Sequence, residues 1–222
     1  MKPAAILSVA APGNGSGKTL AVQTLLAAFP GRLRAIKFTT VYRDGANCPR
    51  KEGACACREL KGPFSVVDRQ PTLDAPDTDT ARMREAGALS VLWCLARPGA
   101  HAAAWEHLRE SRLPDAAPIV TEGNAILEVI RPDWLLMVMS PAVPRARWKQ
   151  GIPELAARAS RVVINTHLCG EAEVRELGLE VASWRRGERP LAADLSRPLV
   201  EWDGGAVRDE IAGIVGGTRA PW

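Results

Sequence analysis

Apolar positions along the chain fall into short continuous runs, separated by stretches where they recur at helical spacing. Ala4 to Ala10 is such a run, the pattern of a strand covered on both faces. Thr19 to Phe29 carries apolar residues at helical spacing and stops at Pro30-Gly31, a helix terminator followed by a turn. Leu33 to Thr40 reads as a second strand. An irregular stretch, Asp44 to Leu60, follows and holds three of the five cysteines. Phe64 to Val67 reads as a short strand and Gln70 to Asp77 as a polar, proline-bearing loop. Thr80 to Ala86 reads as a short helix that Asp79 would cap. Leu89 to Leu95 is a further strand and Ala100 to Arg112 a helix. Ile119 to Glu122, Trp134 to Met139 and Arg161 to Asn165 are three more strands, with a helix near Pro153 to Ala159. Helices are predicted over Glu171 to Leu177 and Gly205 to Val215, with a strand Leu199 to Trp202 between them. Strands alternating with helices predict an α/β fold: a three-layer arrangement with a mainly parallel central sheet flanked by helices. Active sites of such sheets lie at the carboxyl ends of the strands.

The chain has 222 residues, 46% hydrophobic and 24% charged, as in an ordinary globular domain. That length predicts a single domain over residues 1–222, with a cysteine-rich insertion at about 44–61. The net charge of +4 is slight and spread along the chain, which argues against a dedicated nucleic-acid or membrane-surface binder. No apolar run approaches the roughly 18 residues of a membrane span. The apolar start is better explained by a buried first strand than by a signal peptide, and a cytoplasmic protein is expected. Five unevenly placed cysteines do not make a disulfide framework.

The strongest chemical signal is Pro12-Gly13-Asn14-Gly15-Ser16-Gly17-Lys18-Thr19, between the first strand and the first helix. This is the context of a phosphate-binding loop. Glycines allow positive φ and close approach, so successive N–H groups can face phosphate oxygens, and the helix N-terminus adds partial positive charge. Lys18 would reach the β- and γ-phosphates, and the Thr19 hydroxyl would ligate Mg²⁺. Pro12 stands where the usual pattern has glycine, at the start of the loop and away from the Gly-Lys-Thr end.

Three strand ends add candidates. The second strand ends in Ala35-Ile36-Lys37-Phe38-Thr39-Thr40; the chain has six lysines against twenty-three arginines, so Lys37 beside the predicted phosphates stands out. Ile119-Val120-Thr121-Glu122-Gly123-Asn124 ends an apolar strand in a carboxylate suited to face Mg²⁺, or else in a helix cap. Asn165, after Arg161-Val162-Val163-Ile164, either pairs with a nucleotide base or forms a turn. Asn165-Thr166-His167 lacks the Asn-Lys-x-Asp pattern that reads guanine, which favours ATP over GTP.

With the loop, the Ile36-Lys37 strand end, Asp44, and Asp79-Thr80-Ala81-Arg82 followed by Glu85-Ala86-Gly87-Ala88, the chain resembles molybdopterin-guanine dinucleotide biosynthesis protein B. Through Lys37, Glu122-Gly123 and Asn165 it is also similar to dethiobiotin synthetase. The resemblance spans roughly residues 6–165, and only the P-loop is highly specific. It implies the P-loop NTPase fold, a nucleoside triphosphate (ATP or GTP) with Mg²⁺, and a homodimer with nucleotide near the subunit interface. Lys18 and Thr19 would hold phosphate and Mg²⁺, Asp44 and Glu122 would be metal-side acids, Lys37 would face substrate or γ-phosphate, and Asn165 the base. Lys18 and Lys37 are then the candidate catalytic cations. The second lysine usual in ParA-like relatives is absent, because Gly13 occupies its place. The implied activity is nucleotide hydrolysis by an accessory factor of cofactor biosynthesis. Two alternatives are an ATP-dependent ligase or kinase acting on an anionic or cofactor-like small molecule, and a non-catalytic, nucleotide-gated metal or cluster carrier.

Neither family's pattern includes the segment with Cys48, Cys55 and Cys57, spaced C-x₆-C-x-C and interleaved with Arg50, Lys51, Arg58 and Lys61. Thiolates are soft ligands for Zn²⁺ or an Fe–S cluster, and neighbouring cations lower thiol pKa. A closed zinc site needs a fourth ligand, for which Cys169, His167 or a second subunit are candidates. A redox pair or plain surface thiols are the alternatives. Cys94, inside an apolar strand, reads as core. His101 and His107 read as surface positions, and Trp184 with the basic turn 185–189 as exposed rather than an anion pocket.

Overall fold

The computed structural model describes residues 4–42, 55–113 and 116–216. In chain order the elements are β1 (Ile6–Ala10), α1 (Lys18–Ala28), β2 (Arg34–Thr40), α2 (Ala56–Glu59), β3 (Phe64–Val67), α3 (Gln70–Leu73), α4 (Asp79–Glu85), β4 (Ser90–Ala96) and α5 (His101–Arg112). Then follow β5 (Ile119–Glu122), β6 (Trp134–Met139), α6 (Ile152–Ala157), β7 (Arg161–Asn165), α7 (Glu171–Trp184), β8 (Leu191–Ala193) and α8 (Ala206–Val215). The strands form one sheet in the order β3-β4-β2-β5-β1-β6-β7-β8. All neighbours run parallel except β3, which pairs antiparallel with β4 at the edge.

The sheet is buried on both faces, as its continuous apolar strands require. Alternation divides each strand between two cores. Leu7, Val9, Ala35, Leu136 and Val138 pack beneath α1, α4 and α8 with Leu25, Leu26 and Ile211. Ile36, Phe38, Met137, Met139 and Ile164 pack beneath α5, α6 and α7 with Leu108, Leu155 and Leu177. In β6 all six residues are buried.

Several local expectations differ from the structure for identifiable reasons. Residues 70–73 are helical rather than loop: Pro71 sits in the first turn, where its missing N–H costs nothing, and Leu73 is buried. The cap of α4 is Thr78, whose hydroxyl accepts from Ala81 N at 3.2 Å, rather than Asp79. Residues 199–201 form a 3-10 turn, not a strand, with Leu199 and Trp202 buried three positions apart; the last strand is instead β8. Helix α7 runs on through Gly178 to Trp184, since burial of Leu177 and Val181 outweighs the roughly 1 kcal/mol a helical glycine costs. Within the stretch expected to be irregular, 56–59 form one helical turn.

Candidate functional site

The carboxyl ends of β1, β2 and β5 meet at one level, because Val9 and Lys37 both pair in register with Glu122. From that edge β1 runs into the glycine loop and the loop into α1. Gly17, at φ +97°, turns the chain into the helix, and no side chain caps it, so the first-turn N–H groups are free to face a ligand. The loop is braced from beneath. Ser16 is buried and donates to Gly13 O at 3.0 Å, and Lys18 Nζ donates to the same carbonyl at 2.9 Å. Asn124, just past β5, accepts from Ala11 N at 3.1 Å and donates to Ala11 O at 2.9 Å, clamping the loop's start. Asn124 braces the loop rather than capping a helix, and the sequence signal for it was its place directly after Gly123 at the end of the strand.

Glu122 is only 6% exposed and accepts from the Thr19 hydroxyl through both oxygens, at 3.1 and 3.2 Å. Two oxygen donors thus converge at the start of α1, a donor set suited to a hard divalent cation. Lys37 donates to Asp79 in the first turn of α4. Lys18 has its pKa lowered chiefly by burial; Glu122 opposes that, while the charges of Lys149 and Lys37 add to it.

Asn14, Gly15, Gly17, Lys18, Thr19, Lys37 and Glu122 line one cleft of about 940 Å³. The cleft continues past Lys37 to Thr40, Tyr42, Cys55, Asp79, Arg82 and Trp93, and Lys149 stands on its rim. Trp93 is pinned by a 3.0 Å bond from its indole N–H to Thr39 Oγ1. On the same wall Thr40 Oγ1 lies 3.0 Å from His101 Nε2, whose Nδ1 lies 3.1 Å from Glu128. His101 is therefore buried rather than a surface position: α5 begins against β2, and its first residue points into the sheet.

Asn165 is 7% exposed beside the loop and its groups are bound to backbone. Its amide nitrogen donates to Ser16 O at 3.5 Å; its oxygen accepts from His167 N at 3.2 Å and Leu195 N at 3.5 Å. Arg185, expected in an exposed turn, is buried and donates to Ala156 O and Ala159 O at 2.7 and 2.8 Å.

Asp44 and Cys48 lie outside the described residues. Cys55 is buried at the cleft wall and Cys57 half-buried at the start of α2. Cys169 and His167 follow β7, four strands away from β2, or about 19 Å at 4.8 Å per strand. Among the described residues no group of three metal-ligating side chains occurs. Cys94 lies in the core, its thiol pushed up to about 12 by burial. No described helix is long and apolar enough to cross a membrane.

The chain has the α/β fold of P-loop nucleoside triphosphatases. The hydrogenase maturation factor HypB from Archaeoglobus fulgidus superposes with a TM-score of 0.54 at 15% identity, covering 96% of this chain and 90% of that one. LpxK from Aquifex aeolicus, in complex with ATP, gives a TM-score of 0.43 at 13% identity over 75% of this chain and 50% of that one. No family model matches the sequence, and no curated protein matches it.

Proposed function

We propose that the chain is a Mg²⁺-dependent nucleoside-triphosphate-binding protein that hydrolyses its nucleotide as an accessory factor in cofactor or metallocentre assembly. The observation that carries this reading is the meeting of Lys18, Thr19 and Glu122 at the uncapped start of α1. Thr19 and Glu122 would hold Mg²⁺, which supplies charge neutralisation to the phosphate oxygens. Backbone N–H groups from Gly13 to Thr19 would bind the phosphates, with Lys18 leaving the Gly13 carbonyl to reach them. Lys37, now held by Asp79, would face the terminal phosphate. The preference for ATP rests on the absent guanine-reading pattern; the three backbone bonds of Asn165 favour its acting as a brace of the loop. The accessory role draws support from the fold shared with a hydrogenase maturation factor. A cytoplasmic homodimer, one domain with its insertion at 44–61, is part of the same reading.

The decisive test is calorimetric titration with MgATP and MgGTP of the wild type and Lys18→Ala. Loss of a charge-assisted phosphate contact predicts an affinity about ten-fold lower or worse; unchanged binding would refute the role.

A second reading, an ATP-dependent ligase or kinase, is favoured by the extension of the cleft beyond Lys37 to Thr40, Tyr42, Arg82 and Trp93, which leaves room for an anionic acceptor. Phosphate release separates the two. Slow turnover without acceptor supports the accessory role, and acceptor-stimulated turnover supports transfer. No turnover supports a nucleotide-gated carrier, in which Cys48, Cys55 and Cys57 would bind Zn²⁺ or an Fe–S cluster. For that site the test is metal analysis after anaerobic purification: less than about 0.1 metal per chain, with freely alkylated thiols, removes it.

A further inference from the structure

Lys18, Lys37 and Lys149 are three of only six lysines in the chain, and all three line the one cleft. The first two lie in segments whose strand-loop context marks them. Lys149 sits in none: it lies near the end of the strap that leaves β6 at Met139, packs against Pro12 and Gly13 at the start of the glycine loop, and leads into α6.

The strap is fixed to the loop at its working end. Lys149 N donates to Pro12 O at 3.0 Å. Val143 and the Arg147 carbonyl pack on Gly13 so closely that a methyl group there would lie 3.2 Å from each. Trp148, next to the lysine, anchors the other side. Its indole N–H donates to Val143 O at 3.1 Å, its ring meets that of Trp184 edge-on at 6.0 Å, and the Arg145 guanidinium covers it at 4.0 Å. Arg145 in turn pairs with Glu180 of α7. The backbone of Lys149 is therefore held at the cleft rim, with its stem short of nothing but a partner for the ammonium. Among the described residues that ammonium makes no ion pair or hydrogen bond, whereas Lys37 has Asp79 and Lys18 has Gly13 O. Lys149 lines the same cleft as Lys18, and its charge, after burial, helps to lower the Lys18 pKa.

We propose that Lys149 is a third phosphate-binding cation, recruited from the strap after β6, which contacts the terminal phosphate of a nucleoside triphosphate and makes the site prefer triphosphate to diphosphate. The inference rests on the reading of the glycine loop as a nucleotide site. Its physical ground is charge: a diphosphate with Mg²⁺ is matched by Lys18 and the backbone N–H groups, and the further phosphate brings negative charge for the unpartnered ammonium to meet.

The experiment compares MgATP with MgADP, and MgGTP with MgGDP, by calorimetry on the wild type, Lys149→Met and Lys149→Arg. Lys149→Met is expected to lose about ten-fold in triphosphate affinity and less than about two-fold for diphosphate. Lys149→Arg is expected to regain most of the loss. An unchanged midpoint of thermal unfolding in both variants confirms that the exposed position is not holding the fold. Equal losses for the two nucleotides, or no loss, would overturn the inference while leaving the nucleotide site intact. If the wild type binds none of the four nucleotides, or Lys18→Ala binds them as the wild type does, the loop reading fails and this inference with it.

Discussion

The Thr19 hydroxyl donates to both carboxylate oxygens of Glu122, joining residues 103 positions apart in sequence. The bond ties the first turn of α1 to the end of β5 and gives a buried carboxylate its hydrogen bonds when no cation is there. Glu122→Gln keeps an oxygen to accept from Thr19 and so should keep the fold, but it removes the negative charge. Nucleotide binding in the presence of Mg²⁺ should fall about ten-fold towards the level in a chelator, with little change in the unfolding midpoint. Titrations with and without Mg²⁺ read this directly; an unaltered metal dependence would show that Glu122 faces no cation.

Lys18 should be a liability to the empty protein. Burial lowers its pKa below the ordinary 10.5, and Glu122 only partly offsets this. The unfolded chain then holds the proton more tightly, so its contribution to stability rises with pH between the lowered value and 10.5, and the penalty is present in full only below the lowered value. Lys18→Met should raise the unfolding midpoint of the nucleotide-free protein, by about 2–4 °C for each kcal/mol relieved, while abolishing nucleotide binding. A lowered midpoint would mean that the bond to Gly13 O outweighs the desolvation.

Gly123 has φ +133°, and a Cβ there would run into the Phe38 carbonyl oxygen of the adjoining strand. Alanine must push β2 from β5 or change the backbone, so Gly123→Ala should cost about 3 kcal/mol or more. Chemical denaturation measures it. A loss under about 1 kcal/mol would show that the strand ends yield easily.

Much of this was legible before the fold was known. The glycine loop announces itself because backbone geometry dictates its residue types at fixed spacing, and β1, β4, β6 and β7 because strands covered on both faces carry nearly continuous apolar runs. Lys37 and Glu122 were found by their strand ends, and register then set them side by side. The single helical turns at 56–59, 70–73 and 199–201 and the strand at 191–193 were not legible. Leu199 and Trp202 bury at i and i+3, yet four residues are too few to distinguish that period from alternation. His101 and Lys149 escaped for another reason: their roles depend on which distant element lies beside them. His101 meets Thr40 across 61 positions, and Lys149 meets Pro12 across an even longer stretch of chain.

Cys94 offers a separate check on the core. Its thiol is pushed up to about 12 by burial, against 9.0 when exposed. The folded chain therefore keeps a proton that the unfolded chain loses, and stability should fall as pH rises from 9 towards 12. At pH 9 iodoacetamide should leave Cys94 unmodified in the native protein while Cys57 and Cys169, both part-exposed, react; mass spectrometry of the digested protein reads this. Cys94→Ala should remove that group's share of the alkaline slope.

The strand order has a consequence for the protein's synthesis. β1 hydrogen-bonds to β5 and β6, the latter ending at Met139, so the first strand made has no neighbour until more than half the chain has been translated. At about 5–20 residues per second, the motif at residues 12–19 waits on the order of ten seconds for the strands that hold it open. Glu122 and Asn124, which complete the floor, arrive within the same late window. A nascent chain arrested ahead of β5 would carry every residue of the motif and none of its shape, so nucleotide added during translation can reward only chains that have already grown past the middle of the sheet.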